Sequence, residues 1–194
     1  MNYLVTGCAG FIGYHVADSI LKQDKQSKVI GIDNLNDYYS VKLKQKRIQL
    51  LKQNKRFNFL KINLIYKKKI ITVFKKHKID FVIHLAAQAG VRYSLINPES
   101  YYESNIVGFS NIIEIIDANN VKKFIFASSS SVYGDKKRYP LNETEKIYPK
   151  NIYSASKKLN EDIASDVSKI SKMQMIGLRF FTIYGKWGRP DMLI

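Results

Sequence analysis

Only one cysteine, Cys8, occurs in the whole chain, so no internal disulfide can form and a reducing compartment is its natural setting. A small residue packed in a tight turn describes Cys8 better than a reactive thiol does. No apolar run is long enough to span a bilayer, and Met1 leads at once into Tyr3-Leu4-Val5 without a charged leader or a small-residue cleavage site. A soluble cytoplasmic protein without membrane association is the expectation. There is no internal repeat, low-complexity tract or recognisable linker, and no metal site is expected. At 194 residues, 45% of them hydrophobic and 25% charged, the composition excludes disorder and allows one well-buried domain. Acidic residues are scarce: 16 against 32 basic ones, for a net charge of +16. From Tyr38 to Ile79 there are fourteen Lys or Arg and no Asp or Glu. Such a field could attract nucleic acid, lipid or a phosphorylated ligand. The lysines, however, are scattered through amphipathic patterns, and Lys67-Lys68-Lys69 is too short for a basic arm. Most of this charge therefore reads as a solvated face, and no nucleic-acid partner is expected.

Short β-rich runs alternate with longer helical patterns. Strands are expected at Tyr3 to Thr6, Lys28 to Asp33, Phe57 to Ile62, Asp80 to Leu85, Lys122 to Ser128 and Met173 to Phe181, with helices near 11–24, 41–53, 67–77, 99–119 and 151–171. This alternation predicts an α/β fold, a doubly wound parallel sheet of Rossmann type with helices on both faces. The longest loop is expected from Tyr133 to Pro149, directly before the last helix.

Gly7-Cys8-Ala9-Gly10-Phe11-Ile12-Gly13 joins the first strand to the first helix. Glycines at that spacing allow a tight turn and let backbone N–H groups approach a pyrophosphate, so Gly7, Gly10, Phe11, Ile12 and Gly13 are candidate cofactor contacts. Asp33 follows Gly13 by twenty residues at the end of the second strand. An acid there can accept hydrogen bonds from a ribose diol and would repel a 2′-phosphate, which favours NAD over NADP. The alternative is a plain strand-end turn residue. Farther on, Tyr153-Ser-Ala-Ser-Lys157 places a phenol and an ammonium four residues apart. On a helix their Cβ atoms lie about 5–6 Å apart, and a nearby cation favours the phenolate. The strand Phe124 to Ala127 runs into Ser128-Ser129-Ser130-Ser131, which gathers hydroxyls at a strand's carboxyl end. Either feature alone is compatible with chance.

Together these residues resemble the extended short-chain dehydrogenase/reductase family, in particular its NAD-dependent nucleotide-sugar epimerases and, among them, those acting on UDP-glucuronate. The resemblance extends through Asp33 to Tyr39, His84 to Ser94, Ser128 to Gly134 and Gly177 to Met192, and so covers the chain from Met1 to about Met192. It implies that Tyr153 takes the proton of the sugar 4-hydroxyl while hydride passes from C4 to NAD. Lys157 would lower the Tyr153 pKa and bind the nicotinamide ribose, and Ser129, five residues before Gly134, would hold the reacting oxygen. Hydride would then return to the other face of the keto sugar, converting UDP-glucuronate to UDP-galacturonate without consuming NAD.

The same resemblance assigns Asn34, Ala86 and Ala87 to the cofactor wall, and Ser130, Arg92, Thr182 and Arg189 to the UDP-sugar, with Thr182 and Arg189 at the uronate carboxylate. Asn105 matches a family asparagine and equally suits a buried hydrogen-bonding role; Arg92 is a surface or a pocket residue; His84 suits packing better than catalysis. Dehydratases of the family carry an Asp-Glu pair where this chain has Ser130-Ser131, which points to epimerisation instead. Two positions depart from the family pattern: Asn63, where an aspartate contacts adenine, and Lys186, where a proline is usual. Family members also continue well past the position of Ile194. The expectation is thus an NAD-binding domain over 1–194 with the smaller substrate domain largely missing, homodimeric if complete. The alternatives are an NAD-binding module without epimerase activity and a basic nucleic-acid-binding protein.

Overall fold

The computed structural model describes residues 1–192, so Leu193 and Ile194, at the end of the expected domain, lie outside the described residues. Six strands, β1 (Asn2–Thr6), β2 (Lys28–Asp33), β3 (Phe57–Lys61), β4 (Phe81–His84), β5 (Lys123–Ser129) and β6 (Gln174–Phe180), form one sheet in the order β3-β2-β1-β4-β5-β6. Every pairing is parallel. Parallel neighbours need crossover connections, and here helices supply them: α1 (Phe11–Gln23), α2 (Val41–Lys52), α3 (Lys67–Lys76), a set between β4 and β5, and α7 (Ile152–Ser168). The chain is therefore the doubly wound Rossmann-type sheet expected from its alternation.

Side chains alternate across each strand, so one strand feeds two cores. Leu4, Ile30, Val82 and Phe124 point to the face covered by α3, α7 and the helix Gly108–Ala118, where Ile70, Phe109, Ile112 and Ala164 pack on them. Val5 and Val29 point the other way, onto Tyr14, Ala17 and Leu21 of α1 and Ile48 and Leu51 of α2. Each large apolar side chain buried this way contributes about 1.5–3 kcal/mol relative to exposure.

The region between β4 and β5 departs from the single helix expected over 99–119. It comprises α4 (Tyr93–Ile96), α5 (Glu99–Tyr101), a π-helical turn over Tyr102–Val107 and α6 (Gly108–Ala118). Pro98 caps α5 and separates it from α4, since a proline disfavours helix in the residue before it. The last helix ends at Ser168 rather than 171. A short 3₁₀ turn, Ser130–Tyr133, opens the expected long loop, and no regular element interrupts residues 134–151. The strand order reverses between β1 and β4, whose carboxyl ends open a crevice of the kind that binds ligands in α/β sheets.

Candidate active site

The crevice is a cavity of about 450 Å³. At its floor the chain leaves β1 through Gly7 with φ of +71°. A Cβ at Gly7 would lie 2.6 Å from the Ala86 amide nitrogen, and one at Gly13 only 2.1 Å from the Gly7 carbonyl oxygen. Glycine is thus required at both positions by contact with backbone. Gly10 caps α1 without a side-chain bond, and the first turn carries no acid. The first N–H groups of a helix lack intrahelical partners, so Phe11, Ile12 and Gly13 present donors to the cavity they line. Asp33 lines it from the end of β2. Its carboxylate accepts from the Ala9 N–H at 3.1 Å and the Leu35 N–H at 2.8 Å. Burial pushes this carboxyl above its ordinary pKa, while the Leu35 hydrogen bond and the nearby Lys44 charge pull it back. A carboxylate has lone pairs to spare beyond these two bonds, enough for a ribose diol. The donor-rich turn and the acceptor beside it fit the diphosphate and the ribose of a dinucleotide.

At the other end, β5 delivers Ser129 to the cavity. Its Oγ accepts from the Ser131 N–H at 3.2 Å and the Ser131 hydroxyl at 2.9 Å. A serine oxygen has two acceptor sites, so its own hydrogen remains free to donate. The neighbouring Ser128 is anchored behind the loop by donating to Glu161, which Arg179 clamps at 2.9 and 2.8 Å. Helix α7 begins with a capping box between Asn151 and Ser154, which fixes where its first turn starts and turns Tyr153 and Lys157 into the cavity. Lys157 is buried, and its Nζ donates to the Ala127 carbonyl at 2.9 Å. Desolvation draws this ammonium down to about 8. Tyr153 is also affected by burial, which pushes its phenol above the ordinary value; the Ser129 hydroxyl and the Arg189 charge oppose that rise. Helical spacing brings the two Cβ atoms together, but the lysine stem runs to β5, and Ser129 and Arg189 are the groups that favour the phenolate.

Arg189 lines the far wall with Thr182. Its Nε lies 3.2 Å from Asp191 Oδ1, out of line for a hydrogen bond. Tyr38 donates to the other Asp191 oxygen at 3.0 Å, and burial together with that bond pushes its phenol up to about 12. Lys186 is exposed, and its carbonyl is held by the His15 ring at 2.7 Å, so the loop is tied there without a proline.

Of the residues singled out from sequence, Asn34, Ala86, Ala87 and Ser130 also line the cavity. Arg92 does not: it stands exposed just ahead of α4. His84 is packed, bonded to Thr6 at 2.9 Å, and burial holds it neutral with a pKa near 3. Cys8 is in the core, and burial pushes its thiol up. Asn105 accepts from the Gln88 N–H at 2.8 Å and donates to the Gln88 carbonyl and to Ser156, each at 3.0 Å; it ties the β4 loop to α7.

Three cavity or site residues went unnoticed in the sequence. Gln88 lines the pocket beside Asn36, and Lys44 and Arg47 are buried members of the basic segment. Arg47 donates to the Ala9 carbonyl at 2.8 Å and the Trp187 carbonyl at 2.6 Å, joining the glycine turn to the Arg189 loop. Spacing held the clue. Lys44, Arg47, Ile48 and Leu51 form one inward helical stripe, and charges on such a stripe are seldom solvated.

Residues 4–192 match the family model described as GDP-mannose 4,6 dehydratase. The chain belongs to this family of NAD-dependent epimerases and dehydratases. Within the epimerase/dehydratase family it is 47% identical over 196 residues to protein CapI of Staphylococcus aureus, covering all of this chain and 58% of that one. It is 45% identical over 198 residues to UDP-glucuronate 4-epimerase 4 of Arabidopsis thaliana, covering 99% of this chain and 44% of that protein. The crystal structure of UDP-glucuronic acid 4-epimerase from Bacillus cereus in complex with UDP-glucuronic acid and NAD superposes with a TM-score of 0.92 at 35% identity, over 99% of this chain and 60% of that one. The chain therefore spans roughly half to three-fifths of the length of these family relatives.

Proposed function

We propose that the chain is the cofactor-binding and catalytic part of an NAD-dependent UDP-glucuronate 4-epimerase, forming UDP-galacturonate. The observation that carries this reading is convergence: the glycine turn, Asp33, Ser129, Tyr153, Lys157 and Arg189 all line one cavity. The N–H groups of Phe11, Ile12 and Gly13 hold the pyrophosphate, Asp33 the adenosine ribose, and Asn34, Ala86 and Ala87 the wall. Lys157 holds the second ribose. NAD, when bound, supplies the hydride acceptor and then donor for sugar C4. Ser129 donates its free hydrogen to the reacting oxygen, and Tyr153 removes the 4-hydroxyl proton and later returns it. Arg189 and Thr182 receive the uronate carboxylate, for which a planar guanidinium offers two parallel donors. Ser130 contacts the sugar, and neither it nor Ser131 can supply the acid and base that eliminating water requires. Epimerisation is therefore favoured over dehydration.

Support for the substrate comes from the relatives named for UDP-glucuronate. A cytoplasmic setting agrees with the single cysteine, and among the described residues no helix is long and apolar enough to cross a membrane. Pairing of two copies agrees with Leu159, Tyr102 and Val107 standing exposed on α7 and the π turn. A second reading, an NAD-binding module without turnover, is favoured by the open β6 edge with Leu178 and Phe181 in solvent.

Titration calorimetry with NAD, followed by chromatography of UDP-glucuronate incubated with the NAD-loaded chain, separates the two. Appearance of UDP-galacturonate, reduced at least about a hundredfold in Tyr153→Phe with NAD affinity kept, is the expected result. NAD binding without product would favour the module, and absence of NAD binding would sink both readings.

A further inference from the structure

Arg47 is fully buried on the inward stripe of α2, and its guanidinium joins two distant stretches of chain. Nη1 donates to the Ala9 carbonyl at 2.8 Å and the Tyr39 hydroxyl at 2.7 Å. Nη2 donates to the Trp187 and Gly188 carbonyls at 2.6 and 3.2 Å. Ala9 belongs to the glycine turn, whereas Trp187 and Gly188 lead directly into Arg189. Arg47 and Trp187 both stand behind the cavity wall rather than in it.

Trp187 has a φ of +65°, a left-handed conformation that bulky residues seldom adopt and that persists only where the surroundings hold it. Arg47 supplies that hold at two successive carbonyls, while the His15 ring bonds the Lys186 carbonyl and the indole packs against Tyr14. The guanidinium itself is electrically unbalanced. All four of its acceptors are neutral oxygens, and its Nε has no partner. Among the described residues no carboxylate lies within ion-pair distance of it. Asp33 is farther off, and Arg47 is the weakest of the influences on its carboxyl. A buried cation ordinarily has an anion beside it, so release of this one to water competes with its seat behind the turn. A dinucleotide diphosphate on the front of the same turn supplies the missing charge and favours the seated arrangement.

We infer that Arg47 is a positioning residue that couples the two ends of the cavity: a diphosphate on the glycine turn seats its guanidinium, and the seated guanidinium holds the loop that carries Arg189. The inference rests on the NAD-binding reading of the site and adds a link from its cofactor end to its Arg189 wall. Charge and shape have separate parts in it. The charge answers the diphosphate, and the planar fork bridges the two stretches of backbone.

Trp187 is the sole tryptophan, so its fluorescence reports on this loop. Acrylamide quenching of the 194-residue chain should fall at least about twofold when NAD saturates it, a modest coupling between distant sites. In Arg47→Met quenching should be stronger and indifferent to NAD, while calorimetry should show NAD affinity about tenfold weaker, the scale of one interaction with a charge. Arg47→Lys keeps the charge without the fork, and should recover part of the NAD affinity but not the shielding of Trp187. General damage to the fold would not divide the two readouts in this way. NAD binding to the unsubstituted chain with no change in quenching overturns the inference and leaves the cofactor reading intact. NAD-dependent shielding that survives in either variant does the same. Where Arg47→Met does not fold, the unsubstituted chain and Arg47→Lys decide by the same criteria. If NAD does not bind the unsubstituted chain, the cofactor reading falls and the coupling falls with it.

Discussion

The two sides of the sheet are unequally finished. The inner strands β2, β1, β4 and β5 each lie between two neighbours: five of the six residues of β2 are buried, and Phe124 on β5 is fully so. β6 contributes no buried residue, and Phe181 just beyond it is 54% exposed. The glycine-turn end of the cavity is thus held by two packed cores, whereas Thr182 and Arg189 follow a strand that has one neighbour among the described residues.

The contrast can be broken most strongly in the core. Phe124→Ala should cost about 3–5 kcal/mol, because it removes a large side chain from between α6 and the sheet; urea unfolding measures it. An intermediate effect of the opposite sign is expected at the buried lysine of α7. Lys157 is buried with a pKa lowered to about 8 from 10.5, so at pH 7 the folded state carries a poorly solvated charge. Between those two values the unfolded chain binds a proton that the folded chain does not, and stability rises with pH across that window. Lys157→Met should therefore stabilise the protein by about 1–3 kcal/mol at pH 7, with the advantage shrinking toward pH 10 while activity is lost. Denaturation at the two pH values checks the sign. The smallest effect belongs to the open edge: Phe181→Ser should change stability by less than about 0.5 kcal/mol. A loss approaching that of Phe124→Ala would show that β6 is covered in solution.

This inequality also explains what was legible in the sequence. Strand and helix periods gave all six strands to within a residue or two, because buried parallel strands are apolar throughout and their helices carry a clear stripe. The glycine turn was equally plain, since backbone crowding at Gly7 and Gly13 leaves no other residue type. Features fixed by long-range contact were not. Arg92 lies in a segment that resembles the family yet faces solvent, on an irregular stretch ahead of α4 that has no period to read. Lys44 and Arg47 were submerged in a run of basic residues whose other members are largely exposed. The Tyr153–Lys157 spacing was legible, but the direction of the lysine stem toward the Ala127 carbonyl depends on β5, thirty residues away.

The π turn at Tyr102–Val107 makes its stretch of chain sensitive to counting rather than to chemistry. A π turn holds one residue more than the α-helix it interrupts, and each residue rotates a helix by about 100°. The surplus lets the Asn105 amide look toward Gln88 and Ser156 while Phe109, Ile112 and Ile116 look into the sheet. Deleting any one residue there would restore a regular spiral and swing the amide away from both partners or the apolar stripe away from the core. Many side chains in this turn are exchangeable in kind; its length is not.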